Sequence, residues 1–375
     1  MLPSPHPPLP QKMFRTPSKA TINDDVLFSQ ASPAFCFSLL FNHILIRFYQ
    51  TFGIRIKEIE QERWNPNQKP SLGGISMYLT FLFSVIFLLF MPNKNNTLNI
   101  SLLGFLISAS LAFLMGFADD AYNTQPLIKF LSQVLCAVIL AFTGHYVQIS
   151  SHPILNYLLT IFWVVFLMNA FNLLDNMDGI VALVALVITV CCAYVVYCST
   201  GIWNYLFLLN IGIIGAVSGF VIYNFYPSRI FMGDSGSQFL GLFYAGMSID
   251  LFLNIPNVLQ HFEAYTCVKT LVATGSVFIA PLSDTVVVSL NRIIKGSSPF
   301  IGGKDHTTHA FYMRGFRVSW ISIIYMLISI IGVLLALALK FSWFNNALPI
   351  ALIFDLVIFL GFFINTFPLK TGSYV

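Results

Sequence analysis

The sequence predicts an all-α fold, a polytopic membrane bundle of about eleven transmembrane helices with its polar chemistry gathered at one face. Three observations predict it. Of the 375 residues, 57% are hydrophobic and only 9% charged, against about 25% charged in a soluble domain, and the mean hydropathy is +0.78. Apolar runs of membrane-spanning length recur along the chain. The charged residues fall between those runs, mostly at every second gap.

Residues 1–30 begin "MLPSPHPPLP" and lack the basic start and apolar core of a signal peptide. They read as a disordered Pro-rich tail, and residues 31–370 as a single transmembrane domain. A span needs about 20 mostly apolar residues. Candidates lie at roughly 33–50, 72–91, 98–118, 127–143, 154–174, 180–198, 203–224, 238–254, 268–290, 318–339 and 344–366. The first is interrupted by Asn42, His43 and Arg47. The six cysteines lie in or beside apolar runs without metal-ligand spacing, so they read as small core hydrophobes.

Lys and Arg set the expected orientation, because cytoplasmic loops carry the excess. Loops after odd-numbered spans hold Arg55, Lys57, Arg63, Lys69, Arg229, Arg292, Lys295, Lys304, Arg314 and Arg317. Loops after even-numbered spans hold only Lys94 and Lys340, with Lys269 at a span edge. The odd loops are therefore expected to be cytoplasmic.

The acidic residues follow the same side. Asp119 and Asp120 close the third span in "GFADD", Asp175 and Asp178 close the fifth in "NAFNLLDNMDGI", and Asp234 sits in "FMGDSGS". Asp284 lies inside the ninth span, and Asp305, His306 and His309 follow in "DHTTH". Adjacent carboxylates repel unless a positive group lies beside them. Lys129 and Gln133 follow one and two turns into the next helix, and a divalent cation such as Mg²⁺, held by one or two carboxylates and substrate phosphates, is the natural partner. A solvated loop pair is the plainer alternative. In "FMGDSGS" the small residues begin a helix whose free N–H groups can cradle phosphate, with Asp234 placed for a metal; an ordinary glycine turn is the alternative. Asn169, Asn172, Asp175 or Asn176, and Gly179 share one helical face. They exceed what capping needs, and amides can hydrogen-bond a base edge and sugar hydroxyls. Arg292, His306 and His309 suit phosphoryl oxygens, zinc being the weaker alternative for the histidines. No Walker motif is present. Together these parts suit phosphoryl transfer between a nucleotide compound and a lipid phosphate.

From "KPSLGGIS" (69–76) to "DHTTH" (305–309) the chain resembles the polyprenyl-phosphate N-acetylhexosamine-1-phosphate transferases, glycosyltransferase family 4. "GFADD", "NAFNLLDNMDGI", "YNFYPSRIFMGDSGSQFLG" and "PLSDTVVVSLNRIIKGSSPF" occur between them in the family's order. The resemblance implies transfer of a sugar-1-phosphate from a UDP-HexNAc donor to undecaprenyl phosphate, with release of UMP. It implies catalytic roles for Asp119 and Asp120, Mg²⁺ (or Mn²⁺) on Asp234, with Asp175 beside it, and a uridine pocket of Asp178, Asn224 and Phe231. Lys129 matches the family's lysine after the aspartate pair.

Three departures stand out. Asn123 replaces the last Asp of D-D-x-x-D. Asn176 replaces the Gly of "DGLDG". "HTTH" replaces H-x-H-H. The last points toward the branch that uses UDP-GlcNAc and starts a lipid-linked cell-surface polysaccharide, with the UDP-MurNAc-pentapeptide branch of peptidoglycan synthesis as the alternative. The expected place is a bacterial inner membrane with the site facing the cytoplasm. Expected partners are the donor, the lipid acceptor and membrane lipids, with a homodimer the candidate assembly and no nucleic acid. A secondary transporter is the rival from another class, but its site would lie at the bilayer midplane.

Overall fold

The computed structural model describes residues 24–48, 69–90, 99–202, 204–254, 264–297 and 305–367. The Pro-rich start of the tail, most of the 51–71 connection with Arg55, Lys57 and Arg63, and Lys94 and Lys304 lie outside the described residues. Every element among the described residues is helical. They are α1 (Asp24–Phe48), α2 (Gly73–Phe90), α3 (Ile100–Tyr122), α4 (Pro126–Phe142), α5 (Pro153–Leu174), α6 (Ile180–Thr200), α7 (Tyr205–Asn224), α8 (Gly233–Ser248), α9 (Ala264–Val277), α10 (Ile279–Ile294), α11 (Thr307–Met313), α12 (Val318–Phe341) and α13 (Ala347–Thr366). The protein is a polytopic membrane bundle. Among the described residues seven helices are long and apolar enough to cross a membrane, and the bent pair α9–α10 makes an eighth if counted as one span, against the eleven spans expected. α2 and α4 are apolar but shorter.

Each of the eleven expected windows coincides with helix, and two differ in form. The ninth, expected as one span at 268–290, breaks at Phe278 into α9 and α10, which meet at 87°. Pro281 accounts for the break. It has no N–H to donate, and its ring would clash with the carbonyl four residues back, at Val277, where α9 stops. The eighth, expected at 238–254, begins five residues earlier, at Gly233. The 16 residues of α8 span about 24 Å at 1.5 Å per residue. A π-helical segment, Ile249–Leu253, extends the same helix to about 32 Å, close to the hydrocarbon thickness of about 30 Å.

α8 is the axis of the bundle. All its residues except Asp234 are buried, and it packs against α2, α3 and α5. α6 and α7 pair beside it, with α1 outside α7 and α12 against α6. α10 is held by α5 and α13. Between lipid-solvated helices, close van der Waals approach replaces the hydrophobic drive, and small residues make that approach possible. Gly116 shows how near the backbones come: a Cβ there would lie 2.3 Å from the carbonyl oxygen of Asp234. That contact brings the end of α3 to the start of α8.

Gly116→Ala should therefore lower stability by about 1–3 kcal/mol, the usual cost of overpacking. Gly275→Ala, where an added Cβ meets nothing within 4 Å, is the matched control. Thermal unfolding in detergent checks the pair; equal behaviour of the two variants would contradict the packing argument.

Candidate active site

The C-terminal ends of α3, α5 and α7 and the N-terminal ends of α2, α4 and α8 meet at one end of the bundle. At their centre stands Lys129. Its Nζ donates to Asp119 Oδ2 at 2.9 Å, to Asp234 Oδ2 at 2.8 Å and to Asn172 Oδ1 at 3.3 Å. Three of the expected motifs thus converge on one ammonium. Two carboxylates brought this close repel each other, and Lys129 offsets that repulsion. The other oxygen of Asp119 accepts from Thr124 N at 2.8 Å and Thr124 Oγ1 at 2.7 Å, so both its oxygens are engaged.

Asp120 points elsewhere. Its two oxygens accept from the backbone N–H groups of Asp234 at 3.0 Å and Ser235 at 2.9 Å, the first turn of α8. A carboxylate there satisfies orphan donors and complements the helix dipole. This corrects the expectation that those N–H groups lie open to cradle a phosphate: a neighbouring motif already supplies the anion. Gly233 makes the approach possible with φ of 76°, and a Cβ on it would sit 2.7 Å from Asp120 Oδ2.

The asparagine face at the end of α5 is also largely used within the protein. Asn169 exchanges amide bonds with Gln133, at 2.9 and 3.3 Å, and Gln133 donates to Gln238 at 3.0 Å. Asn172 Nδ2 donates to Ser237 Oγ at 3.0 Å. These amides join α4, α5 and α8 just beneath Lys129. Asp175 caps α5 and is half-buried.

A second cluster lies beside the first. Asp178 Oδ2 accepts from Ser228 N at 3.0 Å and lies 3.8 Å from Lys69 Nζ. Lys69 also donates to Ser228 Oγ at 3.1 Å and stands 5.3 Å over the Phe231 ring. Asn224 fixes the loop between, accepting from Gly179 N at 3.1 Å and donating to Ile230 O at 2.9 Å. Asp178, Asn224 and Phe231 are therefore neighbours. Lys69 joins them without having been singled out from sequence; its signal was its place at the head of "KPSLGGIS".

The third part is the short α11. Asp284, buried in α10, accepts from Thr307 N at 3.0 Å and Thr307 Oγ1 at 2.5 Å, and lies 3.1 Å from His306 Nδ1. The Thr307 hydroxyl also meets Tyr325 OH on α12. A carboxylate on one ring nitrogen orients the imidazole and leaves the other for a second partner. His309 is buried, its ring 5.5 Å from that of His306. Arg292, expected to reach substrate, forms a bidentate pair with Asp305, Nε to Oδ2 at 2.8 Å and an Nη to Oδ1 at 2.6 Å. Sequence reading noted Asp284 and Asp305 without these partners, because the pairs join residues 22 and 13 positions apart.

Burial alone pushes the Asp305 carboxyl up, but Arg292 and the nearby His306 outweigh it and hold it below the usual carboxylate range. A depressed carboxyl contributes stability above its unfolded value, near 3.8, and loses it as pH falls through the folded value.

The fold and site together define a multi-pass membrane protein whose charged groups are paired at one end of a helical bundle. Residues 102–252 match the model of glycosyl transferase family 4, and together with the relatives that follow this supports a membrane-embedded transferase. It is similar to a probable undecaprenyl-phosphate N-acetylglucosaminyl 1-phosphate transferase of Bacillus subtilis, 26% identical over 87% of this chain and 89% of that protein. A decaprenyl-phosphate N-acetylglucosaminephosphotransferase of Mycolicibacterium smegmatis is 25% identical over 66% of each chain. A phospho-N-acetylmuramoyl-pentapeptide-transferase of Lactobacillus gasseri is 26% identical over 73% of this chain and 86% of that protein.

Two predictions follow from the ion pairs. Lys129→Met should lower stability by about 3 kcal/mol, the cost of leaving partly buried charges without their partner, and adding Asp119→Asn should recover part of it. Thermal unfolding of the single and double variants checks this; an unchanged melting temperature in Lys129→Met would contradict it. In wild type the Arg292–Asp305 pair should stabilise the fold at neutral pH and lose that contribution as the pH falls through the acid range. In Arg292→Met burial acts with less opposition, so the neutral-pH contribution should be lost and the acid-side fall in melting temperature should become smaller.

Proposed function

We propose that this chain transfers N-acetylglucosamine-1-phosphate from UDP-N-acetylglucosamine to undecaprenyl phosphate, releasing UMP, at the cytoplasmic face of a bacterial inner membrane. The product would start a lipid-linked cell-surface polysaccharide. The observation that carries the reading is Lys129 Nζ within 2.9 Å of both Asp119 and Asp234: two carboxylates share one ammonium at one end of the bundle, next to the Asp178–Asn224–Phe231 cluster, and the remaining negative charge suits a divalent cation. The activities named for the relatives and the surplus of Lys and Arg in alternate loops support it.

In the proposed reaction an oxygen of the lipid phosphate attacks the β-phosphorus of the donor. The new P–O bond forms as the bond from the β-phosphorus to the bridging oxygen breaks, and UMP leaves with that oxygen. A phosphomonoester has its second pKa near 6, so the attacking group is already largely dianionic at neutral pH. Positioning and charge neutralisation then matter most. Asp119 suits a positioning role, since both its oxygens are hydrogen-bonded. Lys129 brings positive charge to the centre. His306, oriented by Asp284, and His309 lie on the element that would face the phosphoryl oxygens. Asp178, Asn224 and Phe231, with Lys69 beside them, would hold the uridine.

The residues also fit a divalent cation. Asp119 and Asp234 share one ammonium, and Mg²⁺ is an ion commonly held by one or two carboxylates plus substrate phosphates. Asp234, with its side chain 24% exposed, and Asp175 are the residues that would hold it. When bound, the ion would neutralise charge on the pyrophosphate.

Purified protein given UDP-N-acetylglucosamine, undecaprenyl phosphate and Mg²⁺ should release UMP. A panel including UDP-MurNAc-pentapeptide separates the two branches, and no UMP from any donor would end the reading. Asp234→Ala should reduce release at least about a hundredfold, the scale for losing an electrostatic group at a reacting centre. Asp119→Asn should not be rescued by raising pH; rescue would assign it a base role instead.

A further inference from the structure

Two of the sequence's departures from its family touch each other. Asn176, where many members have Gly, lies in the turn after α5. Thr308, at the third position of "HTTH", lies on α11, 132 residues later. The Thr308 hydroxyl donates to Asn176 Oδ1 at 2.7 Å, and Asn176 Nδ2 donates to Leu173 O at 3.0 Å. Thr308 is fully buried, so its hydroxyl needs a partner, and losing one would leave a desolvated polar group. The neighbouring contacts of α11 run differently: His306 and Thr307 are tied to Asp284 of α10 and Thr307 to Tyr325 of α12. The Thr308–Asn176 bond links α11 directly to the stretch that holds Asp175 and Asp178.

We infer that Asn176 and Thr308 are positioning residues that act as one clasp, fixing α11 and its two histidines against the turn after α5. This rests on the proposed function. A glycine at 176 has no side chain to accept the bond, and a histidine at 308 would present a ring in place of a small hydroxyl. The clasp acts on the side of the site that carries His306, His309 and Asp175. The uridine cluster is held by other bonds, those of Asn224, Ser228 and Lys69. Loosening the clasp should lower kcat and leave KM for the donor nearly unchanged.

The test is a double-mutant cycle with Thr308→Val, which removes the hydroxyl and keeps the shape, and Asn176→Gly, with Thr308→Ser as the conservative control. UMP release by wild type is measured first; its absence rejects the proposed function, not the clasp. With an active wild type, each single variant should lose about tenfold in kcat with KM within about twofold, the scale of one buried hydrogen bond. The double variant should lose little more than either single one, and Thr308→Ser should retain most activity. Multiplicative losses near a hundredfold, or Thr308→Val with wild-type kcat, would overturn the inference. The same cycle read by melting temperature needs no turnover: a double shift smaller than the sum supports the clasp, and additive shifts overturn it. Asn176→Gly lies in a half-buried turn, which keeps the test available if Thr308→Val does not fold. Coupled stability with unchanged kcat would reduce the pair to a structural contact and overturn its positioning role.

Discussion

The ammonium of Lys129 is the interaction on which the rest of this site depends. It lies between carboxylates from α3 and α8 and beside an amide from α5. Without it, two aspartates would face each other at the end of a membrane bundle, where water is limited and repulsion is poorly screened. With it, three helix ends can meet. The charge that stabilises the meeting is also the charge a polyphosphate would seek. On the proposed reading, stability and chemistry would use the same group.

α8 carries this arrangement into the core. It is buried along its length, so its first-turn N–H groups require an internal acceptor, and Asp120 provides one. The adjacent pair in "GFADD" therefore divides its labour: one carboxylate balances charge with Lys129, while its neighbour caps the next helix. The close approach of α3 to α8 at Gly116 makes both contacts possible, because a larger residue would push Asp119 and Asp120 away from their partners.

Much of the architecture was legible in the sequence because its signals are local. Apolar length predicts helices without reference to neighbours, and the eleven windows all contain helix. The motifs around Asp119, Asp178, Asp234 and His306 were legible too, since polar residues at the ends of membrane-grade runs demand an explanation. What was not legible is how those polar groups choose partners. Asp120 caps α8, Arg292 pairs with Asp305, and Asn169 joins Gln133 and Gln238. Each choice depends on which helix ends lie within 3 Å of each other, and no spacing along the chain encodes that. The break at Phe278 was not read from the sequence, which reads as one span over 268–290: Pro281 is its local cause, and α10 beyond it packs against α5 and α13.

By itself, then, the sequence determined that this chain is a helical membrane protein with carboxylates, amides and histidines collected at alternate span ends, because hydropathy and residue type are properties of the chain alone. Only the tertiary structure decided that Lys129 joins Asp119 to Asp234, that Lys69 stands over Phe231 beside Asp178, and that Asn176 holds Thr308. Those are pairings between distant segments, and in a low-dielectric bundle each buried charge or hydroxyl takes the partner that packing brings within reach.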